Sequence, residues 1–303
     1  MRKILALLVA AALIGACAMG GDREPAGMDK SRGDAVMADT ESAGRPEPVA
    51  PRIGSSLAIV EVLAMPHRSE ANRARDAYRH PRETLAFLDV QPHQTVVEVT
   101  PGGGGWYTEI LAPYLRANGT LIAQVFDPSS SEKSRDYYTR TNGEFRAKLA
   151  ANPEVYDRVR VLEVDVAAPV LGAPASVDRV LTFRNVHNWT AAGNDEANFR
   201  AFFEALRSGG VLGVVEHRAK EGTSLEDMKR TGYMTEAYVI RLAERAGFKL
   251  AGRSEINANP KDTKDHPNGV WSLPPVLRGG SQDREKFSAI GESDRMTLRF
   301  VKP

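Results

Sequence analysis

Three stretches of this chain gather residues able to do chemistry where a strand gives way to a turn. The first is Thr95–Glu109, read TVVEVTPGGGGWYTE. A β-branched run carrying the acid Glu98 passes through Pro101 into Gly102, Gly103, Gly104 and Gly105; Ile110, Leu111, Tyr114 and Leu115 then follow with helical spacing. Glycines let backbone N–H groups approach a ligand closely, and a helix N-terminus behind them favours anionic groups. Strand, glycine turn and helix in that order are the layout of a nucleotide-type cofactor site, and also of a plain flexible turn. The dinucleotide spacing G-x-G-x-x-G is not met, because its last position falls on Tyr107 from one start and on Thr108 from the other. The second stretch, Arg184 to Trp189, is dense in polar groups directly after an apolar run. Imidazole titrates near neutral pH, so His187 is a candidate general base, or else a satisfied histidine with no such role. The third holds Glu216 and His217. Two histidines and an acid invite a metal reading. Adjacent residues on a strand point to opposite faces, however, so no metal site is expected.

These stretches need elements to hold them. Strands are predicted at Thr95–Val99, Thr120–Phe126, Val159–Val164, Val177–Phe183, Val211–Val215, Lys249–Ile256 and Met296–Val301. Helices are predicted at Tyr107–Arg116, Ser131–Ala150, Asp195–Leu206 and Thr235–Ala246. Apolar strands joined by amphipathic helices imply a parallel sheet covered on both faces. The last two strands differ, being separated by roughly 40 residues with no clear helix along most of that length. Helices also precede the first strand: Leu57, Val60, Leu63 and Ala64 share a face, Ser69 reads as an N-cap, and Pro81 can open a helix. Arg75, Asp76, Tyr78, Arg79 and His80 form a polar cluster with no evident task.

The glycine segment resembles motif I of class I S-adenosylmethionine-dependent methyltransferases. There an acid near the strand end is followed by a Gly- or Pro-Gly-rich loop, and Glu98, Pro101, Gly102 and Gly104 fall on that pattern. The tail WYTEILAPYLR, the segment Asp265–Gly280 and the closing GESDRMTLRF are similar to a family of predicted bacterial methyltransferases, often exported. The resemblance spans about Ser69 to Pro303. It implies an α/β, Rossmann-like class I methyltransferase fold: a mostly parallel seven-stranded sheet, its last strand antiparallel, with helices on both faces. It also implies S-adenosyl-L-methionine as cofactor. Glu98 would shape the methionine end of the pocket; Pro101 and the amides of Gly102, Gly103 and Gly104 would face the cofactor. The family's ribose-binding acid aligns with Val125, and Asp127 lies two residues later. Asp127 keeps the same strand face and could serve, or it caps the turn at Pro128. Asp165 matches the position that contacts the adenine amino group, or merely starts a loop. Arg184, Asn185 and His187 stand at motif IV, where the strand end faces the transferring methyl. The resemblance assigns Arg184 to the cofactor, Asn185 to orienting the methionine part or the substrate, and His187 to the base. Trp189 could wall a sulfonium, where cation–π attraction helps. The Asp-Asp-Asn set of magnesium-dependent catechol-type relatives is not evident, since Arg184 and Asn185 stand where its first acid belongs.

Residues 1–16 read as an export signal: Arg2 and Lys3 precede an apolar core, Ile4 to Ile14, too short to span a bilayer. Ile14 to Cys17 resembles a bacterial lipobox. Cys17 is the only cysteine in the chain, and it reads as a lipidation site or as a buried thiol. Lipid there would hold the protein at a membrane surface, and Ala18 in place of Asp favours the outer membrane, facing the periplasm. Residues 17–54 would then be the lipidated cysteine and a disordered tether. The domain would run 55–303, with N-terminal helices over 55–94 and an insertion over 257–293 before the last strand. Without another cysteine, disulfides, thiolate metal sites and a cysteine nucleophile are excluded from the mature chain. A net charge of +1 and no basic stripe argue against nucleic acid as a partner.

Methyl transfer needs aligned reactants and sometimes a base, and it requires neither a covalent nucleophile nor a metal. The expected function is an envelope-anchored, S-adenosylmethionine-dependent methyltransferase acting on a small molecule or other acceptor. The alternative is a non-catalytic envelope lipoprotein that uses the same fold to bind a small molecule or protein partner. Val125 in place of an acid, and a cofactor made in the cytoplasm, favour that alternative. An NAD-type oxidoreductase fails on the glycine spacing and on the final strand.

Overall fold

The structure, a computed structural model, describes residues 57–303. The expected signal segment, Cys17 and the tether lie outside the described residues. Four short helices come first: α1 (Ile59–Ala64), α2 (Glu70–Arg73), α3 (Asp76–Arg79) and α4 (Pro81–Phe87). Their boundaries follow from local chemistry. Ser69 Oγ accepts from the Asn72 N–H at 3.2 Å, capping α2. Pro81 opens α4, where its missing N–H would have had no helical partner.

The remainder alternates strand and helix: β1 (Thr95–Val99), α5 (Thr108–Leu115), β2 (Thr120–Phe126), α6 (Arg135–Ala151), α7 (Pro153–Tyr156), β3 (Arg160–Val164), β4 (Val177–Phe183), α8 (Val186–Ala192), α9 (Asp195–Ala205), β5 (Leu206–His217), α10 (Leu225–Thr231), α11 (Glu236–Arg245), β6 (Lys249–Ser254), α12 (Arg284–Ile290) and β7 (Arg295–Val301). The seven strands form one sheet in the order β3-β2-β1-β4-β5-β7-β6. β1 pairs in parallel with β2 and β4, β2 with β3, and β4 with β5. β7 lies between β5 and β6 and runs antiparallel to both. The last strand is thus reversed in an otherwise parallel sheet, as expected. Strand order reverses between β1 and β4, so a crevice opens outside their carboxyl ends.

Successive residues of each strand feed two cores. Val97, Val180 and Leu212 pack with Phe199, Phe202 and Leu242 of α9 and α11. Val96, Leu121 and Leu181 pack with Leu85 of α4 and with Ile110, Leu111 and Leu115 of α5. Two features differ from expectation. β5 starts at Leu206, which pairs with Val177; the register then shifts, so that Val211 pairs with Arg179. Gly209, at φ 74°, lies inside this irregularity, which is why the Gly209–Gly210 pair reads as a break while pairing carries through as a bulge. α8 and α10 are helices that the periodicity does not predict, being only about two turns long. Among the described residues no helix is long and apolar enough to cross a membrane.

Candidate functional site

A cavity of about 370 Å³ lies outside the carboxyl ends of β1, β4 and β5, with Pro101, Gly102, Arg184, His187, His217 and Trp271 in its wall. A second cavity of about 300 Å³ adjoins it, and the two share Thr100, Phe126, Tyr137, Asn185 and Asn188. Both volumes suit a small-molecule site. A wider hollow of about 960 Å³ over α10 and α11 holds none of the site residues read from the sequence.

Two neighbouring strands end in the same way. Thr100 after β1 and Arg184 after β4 take left-handed backbone, at φ 48° and 63°. For a β-branched threonine this is strained, and such strain clusters at functional sites. It is held by hydrogen bonds: the Thr100 N–H donates to the Gln124 carbonyl at 2.9 Å, and the Arg184 N–H to the Val215 carbonyl at 2.7 Å. Asn185 ties the two ends together, its Nδ2 donating to the Val99 carbonyl at 2.9 Å and to Thr182 Oγ1 at 3.2 Å. Its amide nitrogen is therefore engaged in holding β1 to β4.

The glycines divide their tasks. Gly102, at φ 71°, lines the main cavity, and a Cβ placed on it would meet nothing within 4 Å. Gly103 instead backs onto α6, where a Cβ would lie 2.3 Å from Glu144 Oε2. Gly104 is exposed and lines neither cavity. Of the three glycines expected to face the cofactor, only Gly102 lines the main cavity, and the turn ends at Gly105, held at φ 50° close to Phe145 and Thr108.

Glu98 is 2% exposed at the base of the main cavity, and Thr108 Oγ1 donates to its Oε2 at 2.7 Å. Burial pushes its carboxyl up to about 7, against the hydrogen bonds from Thr108. The other two acids turn inward to their own loops. Asp127 Oδ1 accepts from the Ser129 N–H at 2.8 Å and from its hydroxyl at 2.7 Å; Asp165 Oδ1 accepts from the Ala167 N–H at 2.9 Å. Neither lines the main or the second cavity. The end of β2 offers rings instead: Phe126 stacks on Tyr138 at 4.3 Å between centroids, with Tyr137 tilted beside it. Two consecutive tyrosines opening the helix after the second strand were the sequence signal for this wall.

His187 lies in α8, 7% exposed, and its Nδ1 is 3.0 Å from Glu216 Oε1. A carboxylate accepts, so Nδ1 carries the proton and Nε2 keeps its lone pair, on a residue that lines the main cavity. Glu216 is fully buried and also accepts from the His187 N–H at 3.3 Å and the His217 N–H at 2.8 Å. His217 stands beside His187, with ring centroids 5.2 Å apart, and its Nδ1 is 2.5 Å from Ser293 Oγ. Burial and the neighbouring His187 hold His217 well below the usual imidazole range, so it stays neutral. The expected divergence of Glu216 and His217 is not observed: ligand atoms of His187, Glu216 and His217 lie within 4.8 Å of one another. The strand ends here, and the Glu216 carboxylate folds back over the His217 N–H. All three donors could reach one cation, but both Glu216 oxygens are already engaged.

The segment before β7 closes the far wall. Trp271, Pro274, Pro275 and Val276 line the main cavity together with Glu292 and Ser293. The N-terminal helices contribute Arg79. Trp189, read as a wall residue, is packed into the core edge-on to Phe202 and borders only the second cavity.

No protein-family model matches the chain, and no curated protein matches it. Solved structures do. The cyclase SpnF is 16% identical, covering 78% of this chain and 84% of its own, with a TM-score of 0.53. A methyltransferase complexed with the Trm112 activator of Haloferax volcanii is 14% identical over 77% and 93%, with a TM-score of 0.50. A candidate sarcosine dimethylglycine methyltransferase from Galdieria sulphuraria is 10% identical over 82% and 92%, also at 0.50. At these identities the likeness speaks for architecture alone: this chain has the Rossmann-like fold of class I methyltransferases.

Proposed function

We propose that the chain is an S-adenosylmethionine-dependent methyltransferase with its acceptor beside His187. One observation carries this reading: a buried carboxylate, Glu216, holds His187 Nδ1–H, so that Nε2 keeps its lone pair on a residue lining a cavity floored by a glycine turn. The residues present fit the cofactor. Gly102 leaves open the space that a side chain would fill, Glu98 lies buried beneath it, and Phe126 with Tyr137 and Tyr138 forms an aromatic wall for a planar base. S-adenosylmethionine supplies an electrophilic methyl group when bound. His187 Nε2 takes the proton of an acceptor O–H or N–H. Glu216 fixes the ring and stabilises the imidazolium that results. Trp271, edge-on to His187 at 6.1 Å, and the Pro274–Val276 wall exclude water.

Asp127 and Asp165, both turned into their own loops, favour the second reading: an envelope protein that binds another ligand in the same fold. Ultraviolet cross-linking of radiolabelled S-adenosylmethionine, followed by peptide mapping, separates the two. Label on the peptide holding Phe126 and Tyr138 is expected; no label at saturating cofactor supports the second reading. Lipid anchoring at Cys17, in the outer membrane facing the periplasm, belongs to the same proposal. Radiolabelled palmitate should enter the full chain and be lost in Cys17→Ala.

A further inference from the structure

Of the polar cluster around α3, left without a task by the sequence, Arg79 lines the main cavity. Arg79 is 1% exposed; its Nε donates to Glu292 Oε2 at 3.0 Å, but Nη1 and Nη2 have no hydrogen-bond partner among the described residues. Arg75 Nε donates to Glu292 Oε1 at 2.6 Å, and its buried Nη2 is likewise unpartnered. Arg295 Nη1 meets Glu292 Oε2 at 3.0 Å. Arg184 projects from its left-handed backbone into the cavity wall and makes no side-chain hydrogen bond or ion pair among the described residues.

Three guanidinium groups therefore pair with one carboxylate, and the charge of Arg184 acts on it from nearby. The imbalance shows in their acidities. Against the raising effect of burial, the arginines hold Glu292 down to about 2. Burial, and then the charge of Arg184, lower Arg79 to about 9. Among the described residues no other acid forms an ion pair with these arginines: Glu216 is taken up by His187 and the His217 N–H. Asp76 pairs with Arg68, and Asp294 with Arg218 and Lys264. Glu98, across the cavity, is pushed toward its neutral form by burial. Unmatched buried cations with idle N–H groups are a costly arrangement unless an anion completes it. Planar guanidinium forks match the oxygens of carboxylates and phosphates.

The cluster also sits on a definite side of the site. The glycine turn follows β1 and the aromatic wall follows β2. Arg184 follows β4, while Glu292 and Arg295 lead into β7, which pairs with β5. Arg184, Glu292 and Arg295 thus lie on the β4–β7 side of the crevice with His187, while Arg79 reaches the same cavity from α3, its guanidinium 4.6 Å from the centroid of the Trp106 ring that follows the glycine turn.

We propose that the acceptor is an oxyanion, a carboxylate- or phosphate-bearing small molecule, held by Arg184 and Arg79 beside His187. This rests on the methyltransferase reading of the same site. The test is calorimetric titration of inorganic phosphate and, separately, of acetate into the full chain, both free and saturated with S-adenosylhomocysteine. One of the two oxyanions should bind the saturated protein, identifying the class. Arg184→Gln, whose side chain supports nothing else in the fold, should weaken it by about tenfold or more, the effect of losing a charge-assisted hydrogen bond. Arg79→Gln should act likewise, Arg184→Lys should recover part of the loss, and affinity for S-adenosylhomocysteine should hold in all three. Binding of both oxyanions to the free protein but to neither when saturated would overturn the proposal, because the cluster would then serve the cofactor's own carboxylate. Equal loss of S-adenosylhomocysteine affinity in Arg184→Gln would do the same. Should S-adenosylhomocysteine not bind at all, the methyltransferase reading fails, while titration of the free protein still decides whether the arginines take an oxyanion.

Discussion

Glu98→Gln should stabilise the ligand-free protein, and only above acidic pH. Glu98 is buried, with Thr108 Oγ1 as its hydrogen-bond donor at 2.7 Å. Burial raises its carboxyl from an ordinary 4.5 to about 7. In the folded state it therefore holds a proton that the unfolded chain releases at lower pH. A raised folded value means stability that is present below 4.5 and lost as pH climbs through about 7. At 1.36 kcal/mol per pH unit, the gap corresponds to roughly 3 kcal/mol by pH 8. Glutamine keeps the acceptor oxygen for Thr108 and has no charge to bury. The variant should differ little from the wild type in thermal melts at pH 5, where less than about 1 kcal/mol of the gap has opened. At pH 8 it should melt higher by about 6–12 °C, at the 2–4 °C per kcal/mol of a domain of this size. The difference should develop between those two pH values. Melting curves that stay parallel from pH 5 to 8 would refute the reasoning, since burial would then not govern Glu98. The same substitution should weaken a cationic ligand bound above it.

Three further outcomes follow from the geometry. Gly102→Val should abolish S-adenosylhomocysteine binding, because the side chain enters the cavity and the φ of 71° disfavours it, whereas Gly104→Val should leave both fold and affinity intact by circular dichroism and calorimetry. Glu216→Gln should lower stability by about 1–3 kcal/mol through mismatched buried hydrogen bonds; in nitrogen-15 spectra, His187 should lose its uniform Nδ1–H tautomer, and an unchanged spectrum would remove Glu216 from its positioning role. Elemental analysis of the purified chain should find no stoichiometric divalent metal, and chelation should leave the melting temperature unchanged; one tightly bound ion per chain would mean that His187, Glu216 and His217 hold a cation instead of forming a base pair with a neutral neighbour.

Much of the architecture was legible because burial on both faces writes strands as apolar runs. β1, β2 and β4 have the bounds that the sequence predicts. These are the central strands, where flanking polarity marks each end. β5 was half visible, since the Gly209–Gly210 pair that signals a break is absorbed by a bulge. The site divides the same way. Residues adjacent to strand ends, Glu98, Gly102, Asn185, His187 and His217, could be placed because topology brings those ends together. Arg79 and Glu292 could not, since more than two hundred positions separate partners that meet only in three dimensions. Asp127 and Asp165 stayed open between two roles for a local reason: an Asp two residues before an amide closes its own turn, and no periodicity reveals which way the carboxylate faces.

The most direct test of the central claim is calorimetric titration of S-adenosylmethionine and S-adenosylhomocysteine into the full chain. Micromolar binding with one ligand per chain, lost in Gly102→Val and kept in Gly104→Val, is the predicted result. No heat at millimolar ligand, with the protein folded by its melting curve, would contradict the account and leave the cavity to a ligand of another class.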